Sequence, residues 1–356
     1  MQQTEVIQVG RDVPDPLLIE RAASLIRAGQ VVVFPTETVY GLGGDAMQPH
    51  ALERIFAAKG RPYSDPLIIH IAHLDALALL VTSLSEQARR LAQAFWPGPL
   101  TLLLPASVRV PKLVTAGLDT VAIRMPRHPV ALALIRASGS PLAAPSANRF
   151  MHVSPTTAQH ALADLNGRVP LILDSGPCEV GVESTVLDLC SPHPTILRPG
   201  GVSLEALQRV LPSVSYHAKE NIGAEAQEQK AQTAPGQLLT HYAPNVPTFL
   251  FEGPIVAVQR AILAEIQRRQ AQNERVGVLI ADEDIAVFAQ SGVHIYSLGS
   301  ERMPEQLATH LFAGLRTLEE AGVQCILCRS FPTQGLGAAV HDRLQKAAGG
   351  KIITVG

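Results

Sequence analysis

Short apolar runs of strand length alternate with segments of helical period along nearly the whole chain, and a chain with that alternation has to stack helices on a sheet. Val31-Val32-Val33-Phe34, Pro66–Ile71, Leu100–Leu104, Thr120–Arg124, Leu171–Asp174 and Thr185–Leu189 read as strands. Between them, Asp15-Pro16 opens a helix with Leu18, Ala22, Leu25 and Ile26 at helical spacing and Gly29 as its stop. Ala51–Ala58, Leu74–Val81, Glu86–Trp96, Pro129–Ala137 and Leu204–Leu211 read as further helices. The pattern breaks once. From about Pro212 to Pro247 the composition turns to Ala, Gln, Glu and Lys and closes on Ala234-Pro235-Gly236 and Ala243-Pro244, which reads as a linker. Beyond it, strands at Thr248–Phe251, Gly277–Ile280, His294–Leu298 and Cys325–Cys328 are separated by helices near Ile255–Gln270, Glu305–Glu320 and Ala338–Ala347. That spacing predicts a small parallel sheet with helical crossovers. The expected division is a domain over 1–211, a linker over 212–247 and a second domain over 248–356.

Composition narrows the class. With 356 residues, one hydrophobic core is too few, and 47% hydrophobic against 17% charged side chains excludes a disordered chain. The 29 basic and 31 acidic residues leave a net charge of −2, which argues against a protein that wraps nucleic acid by bulk electrostatics. Met1–Glu5 shows no charged region followed by an apolar core, and no apolar run approaches the ~18 residues of a membrane span, so a cytoplasmic protein with no membrane partner is expected. Four cysteines do not make a disulfide framework. Cys325 and Cys328 lie three apart in a strand, where side chains face opposite sides, so no metal site is assigned.

The chemistry-bearing residues gather where strands end. Phe34 runs into Pro35-Thr36-Glu37-Thr38-Val39-Tyr40-Gly41-Leu42-Gly43-Gly44-Asp45, which reads as a loop dense in hydroxyls and glycines that lets backbone N–H groups approach a ligand. In Lys59-Gly60-Arg61-Pro62 a helix ends at glycine between two cations; Lys59 either complements the helix dipole or contacts a phosphate, and Arg61 suits a phosphate fork. Arg124 sits in an otherwise apolar strand and needs an anion, from a protein carboxylate or from a ligand. His70 ends another apolar strand. Ala143-Ala144-Pro145-Ser146-Ala147-Asn148, Gly181-Val182-Glu183-Ser184-Thr185 and Leu197-Arg198-Pro199-Gly200 add small side chains, hydroxyls and one more cation. Together they describe a cleft with separated cations and many neutral donors.

These motifs, in this order and together with Pro97-Gly98-Pro99-Leu100-Thr101, resemble the threonylcarbamoyl-AMP synthases of the YrdC-like family, in the long form with an appended carboxyl-terminal domain. His241-Tyr242-Ala243-Pro244 resembles that form's linker, and Cys328–Gly350 the close of its second domain. The resemblance implies an α/β protein: a YrdC-like catalytic domain on a twisted mixed sheet, then a small Rossmann-like parallel α/β domain. It also implies that L-threonine, bicarbonate and ATP give L-threonylcarbamoyl-AMP and pyrophosphate, for handing to downstream threonylcarbamoyl-transfer proteins and so, indirectly, to tRNA. The residues it places around threonine are Thr38, His70, Arg124, Ala144 and Ser184. Around ATP it places Arg61, Asp65, Thr120, Ser146, Ser154 and Arg198, with Tyr242 contributed by the linker, which acts as a lid. Lys59 and Arg61 are the catalytic candidates, and Mg²⁺ arrives with ATP without an assigned protein ligand. One departure stands out: Asp65, in Tyr63-Ser64-Asp65-Pro66, replaces the usual Asn, and a carboxylate repels phosphate unless a metal or the ribose hydroxyls lie against it. A different class of protein, a double-stranded RNA or tRNA binding module using Lys59, Arg61, Arg124 and Arg198 on a concave face, is the rival reading.

Overall fold

The computed structural model describes residues 3–217 and 241–356; of the expected linker, 218–240 lie outside the described residues. Two compact units emerge: Met1–Phe150 with Ser154–Gln237, and Met151–Val153 with Leu238–Gly356.

In the first unit the strands are β1 (Glu5–Gln8), β2 (Val32–Phe34), β3 (Gly41–Asp45), β4 (Ile68–His70), β5 (Leu100–Pro105), β6 (Thr120–Arg124), β7 (Leu142–Ala143), β8 (Leu171–Asp174), β9 (Thr185–Asp188), β10 (Thr195–Arg198) and β11 (Ser215–Tyr216). They form one mixed sheet in the spatial order β1-β8-β2-β3-β7-β4-β6-β5-β9-β10-β11. Both faces are covered, and the period-two alternation of the strands decides which residue goes where. Val31 and Val33 enter one core with Leu42, Ile55, Ile69, Leu102 and Ile123. Val32 and Phe34 enter the other with Ile19, Ala22, Ala23 and Ile26 of the helix Pro16–Arg27 and Val130 and Leu134 of the helix Pro129–Ser138. Asp15 caps the first of these helices by accepting a 2.8 Å bond from the Leu17 amide. The expected helix over 74–81 resolves into a 3-10 turn, Leu74–Ala76, and one helical turn, Leu77–Leu80.

The glycine-rich stretch after Phe34 corrects the loop reading. Only Pro35–Tyr40 is irregular; Gly41–Asp45 pairs antiparallel with β2, Gly41 opposite Phe34 and Gly43 opposite Val32. Glycine disfavours strands because it offers nothing to pack, but here the space is taken by Phe34: a Cβ on Gly43 would meet the ring at 2.6 Å.

The second unit carries β12 (Thr248–Glu252), β13 (Val276–Ile280), β14 (His294–Ser297), β15 (Cys325–Arg329) and β16 (Ile352–Thr354), in the order β14-β13-β15-β12-β16 with every pairing parallel. The helices Ile255–Gln270, Pro304–Glu320 and Gly337–Ala348 make the longer crossovers. Cys325 packs with Phe251, Val278 and Leu327, and Cys328 donates its thiol to the Phe249 carbonyl at 3.3 Å, burial pushing it up to about 12. Tyr242 is buried here with φ +59, its ring 5.6 Å from Phe312 and 4.8 Å from the Arg343 guanidinium. Among the described residues no helix is long and apolar enough to cross a membrane.

Gly43→Ala is expected to cost about 1–3 kcal/mol through overpacking against Phe34, read as a lower denaturant midpoint. Gly41→Ala, whose Cβ would meet the same ring at 3.4 Å, should lose much less.

Candidate active site

Strand register assembles the site. β4 pairs parallel with β6, His70 beside Arg124, and β6 pairs antiparallel with β5, Arg124 opposite Thr101. His70, Arg124 and Thr101 therefore form a row across three adjacent strands on one face. One pleat along, on the same face, come Ile68, Ala122 and Leu103, which form a small apolar cluster with Leu197 packed against it. Thr120 and Pro105 make the next row, about 13 Å from Arg124 at the usual rise per strand residue.

Arg124 is buried and its anion is a protein carboxylate: Glu37 Oε1 lies 2.8 Å from Nη2. The contact is one of charge, without aligned hydrogen-bond geometry. Nη1 donates to Thr38 Oγ1 at 2.9 Å and Nε to the Gly98 carbonyl at 3.2 Å. His70 stays neutral, its pKa pushed down to about 3 by burial and then by the neighbouring Arg124 charge. Its Nδ1 lies 3.3 Å from the Ile68 carbonyl, and the Ala144 amide donates to that same carbonyl at 3.0 Å. Ser184 Oγ is 2.7 Å from Thr101 Oγ1 and accepts from Arg198 Nη2 at 3.1 Å, while Arg198 Nε and Nη2 also donate to the Ser184 carbonyl. Gly200 explains the tight fit of the Arg198 turn: a Cβ there would stand 2.3 Å from the Glu183 carbonyl oxygen and 2.5 Å from the Thr185 nitrogen.

The second group gathers at the end of the helix Pro49–Lys59, which stops at left-handed Gly60. Lys59 Nζ donates to the carbonyls of Ser146 and Asn148, both at 2.6 Å. Burial, and next the Arg61 charge, hold its pKa well below the ordinary lysine value, against the pull of Asp65, Asp164 and Glu183. Arg61 Nη2 meets Asp65 Oδ1 at 2.9 Å in a buried pair. Burial raises the Asp65 carboxyl while Arg61, Lys59 and Arg198 pull it down, so three cations act on one carboxylate. The residue that departs from the usual Asn is thus a counter-ion of Arg61. Ser154 Oγ donates to Glu183 Oε1 at 2.5 Å, and Ser146 bridges to Gly41. Tyr242 belongs to the second unit.

Residues 24–200 match the family described as "Telomere recombination", and 202–349 the one described as "Threonylcarbamoyl-AMP synthase, C-terminal domain". The threonylcarbamoyl-AMP synthase of Pyrococcus abyssi is 44% identical over 95% of this chain and 96% of its own. The chain belongs to the threonylcarbamoyl-AMP synthase family. The Bacillus subtilis enzyme of that name is likewise 44% identical, over 94% of both chains. The crystal structure of P. abyssi Sua5 complexed with L-threonine superposes with a TM-score of 0.91 at 43% identity, covering 99% of this chain and all of that one.

Three residues of the sequence motifs that carried no expected role contact expected site residues: Glu37 meets Arg124, Thr101 meets Ser184 and Glu183 meets Ser154. The available signal was adjacency, since each lies within two residues of, or in register with, an expected ligand contact.

Two outcomes follow from this geometry. Gly200→Ala should separate the Arg198 turn from the 183–185 backbone and lower synthase turnover by on the order of 100-fold, with a reduced unfolding midpoint. The second concerns acid. An unfolded chain takes a proton on His70 near 6.5 and the folded one only near 3, so stability falls as pH drops through that window. His70→Gln should flatten the slope of unfolding free energy between about pH 6.5 and 4, leaving the part due to His128, pushed down to about 4 by burial and by Arg11.

Proposed function

We propose that this chain joins L-threonine, bicarbonate and ATP into L-threonylcarbamoyl-AMP, releasing pyrophosphate and water, and that the row centred on Arg124 receives the amino acid. Of the five guanidinium N–H groups, two make aligned bonds among the described residues, to Thr38 and Gly98, which leaves donors for a second carboxylate. Thr38 and the backbone at Ala144 frame that carboxylate and the amine, and His70 and Ser184 read the hydroxyl. A site built around that hydroxyl rejects an analogue lacking it by on the order of 10⁴.

The amine, once unprotonated, captures carbon dioxide as a carbamate. A carbamate oxygen then attacks the α-phosphorus and pyrophosphate leaves with its bonding electrons, so no protein nucleophile takes part and positioning with charge neutralisation carries the rate. Lys59, Arg61 and Arg198 neutralise the triphosphate, with Ser146, Ser154 and Thr120 along the nucleotide. In this proposal Asp65 acts through Arg61. Mg²⁺ enters with ATP, held by phosphate oxygens and water, since Asp65, Glu37 and Glu183 each already engage a protein partner. The product passes to proteins that threonylcarbamoylate tRNA, in the cytoplasm.

The observation that carries this reading is the burial of the cations. Lys59, Arg61, Arg124 and Arg198 expose only 3%, 8%, 4% and 4% of their surface and are engaged by protein oxygens. An RNA-binding face needs its cations on the surface to meet many phosphates, so the RNA module is disfavoured.

Mass spectrometry of a reaction with ATP, bicarbonate and L-threonine should show a threonine-dependent adenylate, weak with L-serine and absent with L-valine. Arg61→Ala and Arg124→Ala should each reduce it by at least about 100-fold. Because Arg124→Ala strands a buried Glu37, the pair Arg124→Ala with Glu37→Gln controls for folding. Near-normal turnover in either single variant would overturn that residue's role, and no adenylate from the folded wild type would overturn the function.

A further inference from the structure

The polarity of the proposed hydroxyl reader is fixed by the groups around His70 and Ser184. His70 Nδ1 faces the Ile68 carbonyl at 3.3 Å, and a carbonyl only accepts. The neutral ring therefore carries its proton on Nδ1 and presents Nε2 as a bare acceptor. On the other side of Arg124, Ser184 Oγ has two neighbours. Arg198 Nη2, a donor only, reaches it at 3.1 Å, and Thr101 Oγ1 lies 2.7 Å away.

Thr101 is fully buried, and among the described residues Ser184 Oγ is the acceptor within reach of its hydroxyl. If Ser184 donated to Thr101, the Thr101 O–H would be a buried donor without an acceptor, the costlier of the two arrangements. Thr101 therefore donates. Ser184 Oγ then accepts from both Arg198 and Thr101, and its single proton is the one left to point at a ligand.

We infer that Thr101 is a positioning residue for substrate selection: by donating to Ser184 it turns that hydroxyl into an obligate donor, which pairs with the obligate acceptor of His70. One fixed acceptor and one fixed donor satisfy a group that both donates and accepts, as an alcohol does. A methyl group satisfies neither, and an ammonium cannot accept from Ser184. Part of the selectivity for a β-hydroxy amino acid thus depends on a buried threonine that does not itself touch the ligand. This inference rests on the proposed function, because it presumes that L-threonine lies over Arg124.

The test is a cycle that deletes the hydroxyl from the ligand and from Thr101. Binding of L-threonine and of L-2-aminobutyrate, the same amino acid without its hydroxyl, is measured by calorimetry on the full-length wild type and on Thr101→Val, alongside KM and kcat. Thr101→Val should weaken L-threonine about 10-fold, the worth of one oriented hydrogen bond, and leave L-2-aminobutyrate and the KM for ATP within about two-fold. Thr101→Ser, which keeps the donor, should restore the threonine value. Equal weakening of both amino acids, or none, would overturn the inference while leaving the function intact. A folded wild type that binds no L-threonine would overturn both. Should the valine variant not fold, Thr101→Ala enters the same cycle.

Discussion

A slip of one residue in the pairing of β6 with either neighbour would turn Arg124 into the core and bring Val121 and Ile123 onto the ligand face, because side chains alternate along a strand. The register Arg124 with His70 and with Thr101 is thus the constraint on which the site rests. It is held from below by the apolar residues that a slip would expose: Ile69, Leu102, Leu104, Val121 and Ile123 lie in one continuous core. The proposed specificity at the top of the row and the hydrophobic burial beneath it are the same alternation seen from two faces.

Each buried cation around this row needs a partner before any ligand arrives, since a lone buried charge costs several kcal/mol. Glu37 serves Arg124, Asp65 serves Arg61, and the carbonyls of Ser146, Asn148 and Ser184 serve Lys59 and Arg198. These four cations are thus internal and compensated within the protein.

Much of this was readable beforehand. Helical periodicity located Ile255–Gln270 to the residue, and short apolar runs did the same for Thr120–Arg124 and Leu171–Asp174. The strand at Gly41–Asp45 escaped because glycine carries no propensity signal and its justification is the Phe34 ring, a neighbour seven or more residues away. Arg124 announced that it needed an anion, yet two kinds of source remained open until geometry chose Glu37. Thr101 gave no signal in isolation, because its meaning comes from Ser184, 83 positions on.

The row lies on central strands of the sheet, flanked on both sides by paired neighbours. Loops that bind ligands usually open more cheaply than the fold as a whole, but strands in mid-sheet open only when the sheet does. If the row receives substrate as proposed, His70, Arg124 and Thr101 are ordered beforehand, and little conformational entropy is lost in gathering them. Binding free energy not spent on order remains for discrimination, so a small amino acid with few contacts to offer can still be chosen by one hydroxyl.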